Sequence, residues 1–386
     1  MMNEVTQKLS KPFLLLVPIF LLVSVANATD LADVVNVQKY NRAIHIMAML
    51  LVGFGFLMVF VKKYGRSAIT ATYLLVSIAI PLYILKDSLG ILGSAGSEID
   101  SLLLAEFAAA SLLIAVGASL GRLSMGQYLL LGLIFIPFYA FNEWILLDNG
   151  FALISKGAFA DTGGSIVIHA FGALFGLGVI MTMTTKREVE LPIEADATSD
   201  RFSLLGSMIL WLFWPSFCAA LVAPELVPHT AINVILALSA ATIATYFTSV
   251  FFHGKIAPAD IANATLAGGV AIGSTCDTAS FSQAFVIGMI AGALSTFSFA
   301  VLQGKIEKLL GGIDTCGVMN LHGIPGLLGG ISAIFIVNGL DIQSQLLGII
   351  ITVIIAIIAG FMTGKIISLL GRKIVPYDDA EEFEVD

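Results

Sequence analysis

The chain has 386 residues, of which 58% are hydrophobic and only 12% charged, and its mean hydropathy is +0.97. A soluble domain needs a charged surface and rarely has this composition, so most of the chain is expected to lie in a lipid bilayer. The formal net charge of -8 argues against a nucleic-acid partner, which would be bound by a basic surface.

The first 28 residues have the pattern of a secretory signal peptide. Lys8 and Lys11 precede an apolar run, and residues 26–28 read Ala-Asn-Ala. Such a small-residue motif is a typical cleavage site, so we expect cleavage after Ala28 and a mature N-terminus outside the cytoplasm. The alternative is an uncleaved first helix. The signal pattern also points to a bacterial inner membrane.

Eleven apolar stretches follow, each about 20 residues long, which is the length that crosses a bilayer as a helix. The eighth stretch is short and rich in glycine. The predicted limits are 43–61, 67–86, 102–121, 126–147, 163–184, 202–223, 230–252, 261–276, 281–303, 317–337 and 344–370.

Basic residues alternate along this series of spans. They follow the odd-numbered spans, as at Lys62, Arg122 and Arg372, and are few in the opposite loops. The positive-inside rule then places the N-terminus in the periplasm and the C-terminus in the cytoplasm, in a multi-pass protein of the cell inner membrane. Residues 374–386 are expected to form an acidic cytoplasmic tail, and its last nine residues, DDAEEFEVD, predict a solvated, mobile segment.

The three cysteines, Cys218, Cys276 and Cys316, lie in or beside apolar segments. Their odd number and their spacing indicate neither a disulfide framework nor a metal site, so we interpret them as small buried apolar residues. No cofactor is expected.

Ionisable side chains inside a membrane are costly, so they mark candidate functional positions. Asp161 lies at the outer mouth of span five, and His169 lies eight residues further, about 12 Å along a helix axis. Either His169 lines a pore below an acid that stabilises the helix start or attracts a cation, or it forms a hydrogen bond between packed helices. The spacing alone does not decide between the two.

Span ten begins in a segment with unusual polar content, IDTCGVMNLHGIPGLLGG. Asp314 and Thr315 have the character of a helix cap, and Met319 and His322 share a helix face.

Two other places combine polar or aromatic residues with apolar sequence. Glu106 precedes Phe107 near the outer end of span three, where a lone acid is expected to be solvated. The cluster ILWLFWPSFCAAL in span six is typical of an aromatic interface belt or of plain packing.

Together these segments resemble the ammonium transporter/Rhesus protein family, on its Rhesus-type branch. Four motifs carry the resemblance, and they lie in spans five, six, eight and ten. The resemblance extends over nearly the whole predicted mature chain. The motifs are DTGGSIVIHAFGALFGL, LFWPSF, IANATLAGGVAIG and DTCGVMNLHGIPG.

The resemblance implies a fold for residues 29–373. It is an all-α integral membrane fold of eleven transmembrane helices, built from two inverted five-helix repeats and a last long helix. Such repeats place the site at their interface near the midplane. The family also implies a homotrimer with one narrow hydrophobic pore in each subunit.

The resemblance further implies roles for individual residues. Phe107 and Phe217 match a paired aromatic gate, Asp161 matches an acid near the site that recruits ammonium, and Glu143 resembles the acid of the outer vestibule.

His169 matches the first of two pore-centre histidines. The second is expected where this chain has Met319, whereas His322 resembles a further histidine of the Rhesus-type motif.

The function implied is recruitment of ammonium, loss of a proton and passage of neutral ammonia. Because a thioether is a weak acceptor and carries no proton, we expect Met319 to slow conduction or to make it strictly proton-free, unless it inactivates the channel. A missing hydrogen bond would cost roughly 0.5–1.5 kcal/mol. The alternatives are a channel for carbon dioxide or another small neutral gas, and a non-conducting ammonium sensor, which the short tail disfavours. An enzyme is not expected, since neither a nucleophile–base pair nor a metal set is visible.

Overall fold

The computed structural model describes residues 33–93, 95–185, 191–373 and 375–384, and all regular elements in these ranges are helical. The predicted signal peptide lies outside them. Ten helices in the described ranges have the length and hydropathy of a membrane span. They are α1 Asp33–Phe60, α2 Gly65–Ser88, α3 Glu98–Ala118, α4 Met125–Leu147, α5 Ser165–Met183, α6 Ala197–Cys218, α7 Pro224–His253, α9 Phe281–Leu310, α10 Met319–Ile336 and α11 Ile342–Ser368. The label α8 is given to a shorter helical run between α7 and α9.

The predicted eighth span, α8, is a helical run at residues 258–275 in which α-helical and 3-10 turns alternate. Its glycines allow unusually close packing: a Cβ on Gly268 would clash with the carbonyl of Ala237, and one on Gly269 would lie 2.6 Å from the indole of Trp214. The backbone of α8 therefore lies directly against α7 and α6. With α8 included, the described residues contain the eleven helical segments predicted.

Two of the helices occupy the interior of the bundle. About 89% of the apolar window of α3 and 94% of that of α5 are buried, against 39–56% for the other spans. Because α3 and α5 are surrounded by protein, polar side chains on them are shielded from lipid.

Matched hydrogen bonds relate the two halves of the chain. The amide of Gly163, before α5, donates to the carbonyl of Gly273 at the end of α8 (2.8 Å), and the amide of Cys316, before α10, donates to that of Gly117 at the end of α3 (3.2 Å). Each of these amides lies two residues after an aspartate. The start of α5 thus packs on α8 as the start of α10 packs on α3, which is the relation expected of inverted repeats.

The C-terminal tail is docked on the bundle through two residues, so the prediction of a solvated segment is wrong for Tyr377 and Asp379. Tyr377 is 9% exposed, and its phenol oxygen accepts a short hydrogen bond from the guanidinium of Arg122. The carboxylate of Asp379 accepts from the amides of Arg66 and Ser67, and so caps the start of α2. We call this end of the bundle the tail face and the opposite end, where α5 begins, the distal face.

Candidate functional site

Two histidines meet where α5 and α10 approach each other. The Nδ1 atoms of His169 and His322 are 3.2 Å apart, and their rings are parallel within 8° at a centroid distance of 5.2 Å. Both side chains are buried. Because one nitrogen must donate and the other accept, two neutral rings form this bond only as different tautomers. The Nε2 atom of His169 has no protein partner among the described residues.

The prediction that Met319 replaces the second pore histidine is wrong, since the ring that faces His169 is that of His322. Met319 lies one turn earlier on α10, where a Cβ on Gly323 would clash with its sulfur. The sequence held a signal for the correct pairing. His169 follows Asp161 by eight residues, and His322 follows Asp314 by the same eight.

Both aspartates hold the first turn of the helix that carries the histidine. The carboxylate of Asp161 accepts from the amides of Ile166 (3.0 Å) and Val167 (2.8 Å) and from the hydroxyl of Ser274 (2.6 Å). Asp314 accepts from the amides of Val318 (2.9 Å) and Met319 (3.0 Å). These bonds satisfy amides that have no partner within the helix.

The first turns themselves are π-helical in both cases, over Ser165–Ala170 and Met319–Gly323. Each histidine lies in one of these turns, and π-turns inside membrane helices frequently mark functional positions.

Burial raises the pKa of both carboxyl groups to about 6, from an ordinary value of 3.8, although hydrogen bonds from Ser274 and from backbone amides oppose the shift for Asp161. Both carboxylate oxygens of Asp161, the predicted recruitment acid, already accept hydrogen bonds from the protein.

An aromatic pair covers the histidines toward the distal face. The rings of Phe107 on α3 and Phe217 on α6 lie 4.7 Å apart and are both buried. The ring of Phe217 is 6.0 Å from that of His169, and Trp214, one turn earlier on α6, stacks on His169 at 5.5 Å. The structure thus brings the two predicted gate residues together directly above the histidine pair.

A cavity continues from the histidines toward the tail face. It is narrow, with a volume of about 20 Å³ for a water-sized molecule, and is lined mainly by apolar side chains, among them Phe54, Leu113 and Val318, and by His322. It shares Asn263 with a second, wider cavity of about 260 Å³ at the tail face, which polar residues partly line. The histidine pair therefore lies between an aromatic constriction and an apolar passage.

Glu143 is placed differently from a freely accessible vestibule acid. It is 7% exposed, and its carboxylate accepts a short hydrogen bond from the hydroxyl of Tyr83 and a longer one, 3.4 Å, from that of Tyr139. Its carboxylate is therefore part of the contact between α2 and α4.

Glu106 also differs from its prediction. It is completely buried, and neither carboxyl oxygen has a hydrogen-bond partner in the described part of the chain. The expectation that this acid is solvated is wrong.

Comparisons with known proteins agree with this architecture. The model of the Ammonium Transporter Family matches residues 13–386. The chain is similar to ammonium transporter Rh type A of Bos taurus, with 34% identity over 377 residues that cover 93% of this chain and 86% of that protein. It is similar to ammonium transporter Rh type C of Homo sapiens, with 33% identity over 384 residues that cover 88% and 78%. The solved structure of Nitrosomonas europaea Rh50, of the Rhesus protein family of channels, is similar with a TM-score of 0.87 and 55% identity, over 90% of this chain and 92% of that one.

Proposed function

The chain belongs to the ammonium transporter family, and from this premise we propose that it is a channel that conducts neutral ammonia after ammonium loses a proton. The observation that carries the proposal is the buried pair His169–His322, which lies between the aromatic rings of Phe107 and Phe217 and an apolar cavity.

The physical argument concerns the charge of the transported species. Taking a full charge out of water into an apolar passage costs several kcal/mol or more, so neutral ammonia crosses more easily than ammonium. Ammonia still loses its hydrogen bonds to water there. The Nε2 atom of His169 has no partner in the described part of the chain, so it can bond a passing ammonia molecule as donor or acceptor, depending on the tautomer.

We propose that the tail face is cytoplasmic and the distal face periplasmic, in the cell inner membrane. Lys63, Arg122 and Lys373 contact the docked tail and so lie at the tail face, in agreement with the positive-inside rule. Cleavage after Ala28, a channel domain at residues 29–373 and a homotrimer remain proposals that rest on the sequence and on the family.

A second candidate cargo is carbon dioxide or another small neutral gas. The apolar lining of the cavity beside His322 favours it, because a molecule without hydrogen-bond donors loses little free energy there.

The proposed function is tested by stopped-flow measurements on proteoliposomes that contain a pH-sensitive dye. On addition of an ammonium salt, vesicles with the protein are expected to alkalinise faster than empty vesicles of the same lipid. Equal rates would overturn the ammonia proposal. Faster acidification on addition of carbon dioxide, in the absence of an ammonia effect, would favour the gas channel instead.

A further inference from the structure

Glu106 is an acid beside the proposed pore that has no structural task in the described residues. Asp161, Asp314 and Glu143 all use their carboxylates to accept hydrogen bonds from the protein. Glu106, by contrast, is 0% exposed, and both of its oxygens lack a partner in the part of the chain that the structure describes. A buried polar group of this kind is costly to the fold, so its presence calls for a functional reason.

The position of Glu106 on α3 places it on the pore side. Leu113 and Gly117 follow it by seven and eleven residues, and at 100° per residue each returns to within about 20° of the direction of Glu106. Both residues line the cavity next to His322. The next residue in the chain is Phe107, which contacts Phe217.

The inverted repeat supports the same placement. Gly117 ends α3 and Gly273 ends α8 in equivalent contacts. Counting back ten residues from each gives Phe107 in the first half and Asn263 in the second. Asn263 lines both cavities on the tail side of the histidines, so Phe107 and its neighbour Glu106 belong at the corresponding level on the distal side.

The chemistry of an unpaired carboxylate in an apolar site selects its ligand. A small cation with N–H donors can satisfy both oxygens. In an apolar environment two opposite charges are also less favourable than the neutral pair that forms when a proton moves between them. Ammonium meets both conditions, since it offers four N–H groups and can give up one proton.

We propose that Glu106 is the proton acceptor for ammonium at the Phe107–Phe217 gate, an inference that rests on the proposed function. One N–H bond of ammonium breaks with its electron pair left on nitrogen, and an O–H bond forms on Glu106. Neutral ammonia then moves on to His169. The carboxyl group returns its proton to water on the distal side when the gate opens, so no net charge crosses the protein.

The test compares the wild-type protein with E106Q and with E225Q in proteoliposomes, at mildly acidic and at alkaline external pH. Gln is isosteric with Glu but cannot take the proton, and Glu225 is an exposed acid in the first turn of α7 that serves as the matched control. At acidic pH, the channel-dependent flux of E106Q is expected to be about a hundredfold lower than that of the wild type. This factor is the lower end of the effect of a positioned proton acceptor. At alkaline pH, where more of the substrate is already ammonia, its flux is expected to approach that of the wild type. E225Q should match the wild type at both pH values.

The outcomes separate this inference from the proposed function. Wild-type flux no greater than that of empty vesicles would overturn the proposed function and the inference with it. Wild-type flux above empty vesicles, with E106Q unchanged at both pH values or reduced equally at both, would overturn the inference alone. If E106Q does not purify as a folded protein, Glu106→Asn and Glu106→Asp replace it. These two side chains have the same size, and only the aspartate variant should retain flux at acidic pH.

Discussion

Trp214 stacks on the ring of His169, with the two ring planes 17° apart, while the ring of His322 meets the edge of His169 through the two Nδ1 atoms. The imidazole of His169 is therefore held by the indole on one face and by a hydrogen bond at its Nδ1 edge. These contacts restrict rotation of the ring, so the geometry of the histidine pair is set by α5, α6 and α10 together.

The first prediction concerns Met319→His. The side chain of Met319 lies against Gly323, one turn later on the same helix, and is not a member of the histidine pair. We expect ammonia flux into proteoliposomes to change by less than about twofold, because no hydrogen bond of the pair is gained or lost. A tenfold gain in flux would instead show that residue 319 takes part in conduction.

The second prediction concerns His322→Leu. This change leaves Nδ1 of His169 buried without its partner, so we expect the free energy of unfolding to fall by about 1–3 kcal/mol. Flux should fall by up to about tenfold, since ammonia loses one hydrogen bond in the passage. Thermal unfolding in detergent and stopped-flow flux measure the two effects, with Met319→Leu as the neighbouring control. A variant that matches this control in both measurements would refute the assigned pairing.

The third prediction is a dependence of stability on pH. Burial raises the pKa of Asp161 and Asp314 to about 6, above the ordinary value of 3.8 that applies in the unfolded chain. Between these values the native state binds more protons than the unfolded state, so the contribution of these groups to stability falls as pH rises from about 4 to about 6. The apparent unfolding temperature should therefore rise when pH is lowered from 7 to 5, and it should rise less for the double variant Asp161→Asn, Asp314→Asn than for the wild type. An identical pH profile for both proteins would contradict the assignment.

The fourth prediction concerns the docked tail. The phenol oxygen of Tyr377 bonds to Arg122 and lies 3.3 Å from the hydroxyl of Thr315, all in buried surroundings. Tyr377→Phe removes one partner of a charged group, so we expect a loss of about 1–3 kcal/mol in the free energy of unfolding and faster protease cleavage of the tail. Glu381→Gln, at an exposed position of the same segment, should change neither. Equal cleavage rates for Tyr377→Phe and Glu381→Gln would argue against docking through this hydroxyl.

Hydropathy and segment length are sufficient to predict the number and approximate limits of the helices, because a bilayer requires each spanning helix to be apolar and about 20 residues long. The pairing of His169 with His322 follows from their equal spacing from Asp161 and Asp314, whereas the resemblance to a family motif assigns the second histidine to position 319. The burial of Glu106 differs from the prediction because of where its helix begins. α3 begins at Glu98 with a cap from Ser97, ahead of the predicted start at residue 102, so Glu106 lies two turns inside the helix.

The docking of the tail was not accessible to the same reasoning. Its acidic residues read as solvated charge, yet Asp379 caps a helix more than 300 residues earlier in the chain. Such a long-range partnership leaves no trace in the local sequence.

The opposed orientation of α5 and α10 has an electrical consequence. Each helix has its positive dipole end at a different face, and each end is covered by an aspartate that accepts the first amides. Through the midplane the two dipoles run in opposite directions and largely cancel. The helices around His169 and His322 therefore create little net field along the proposed path of a neutral molecule. In the proposed channel, net movement of ammonia in either direction would be set by its concentration difference across the membrane, and the protein would not favour one direction.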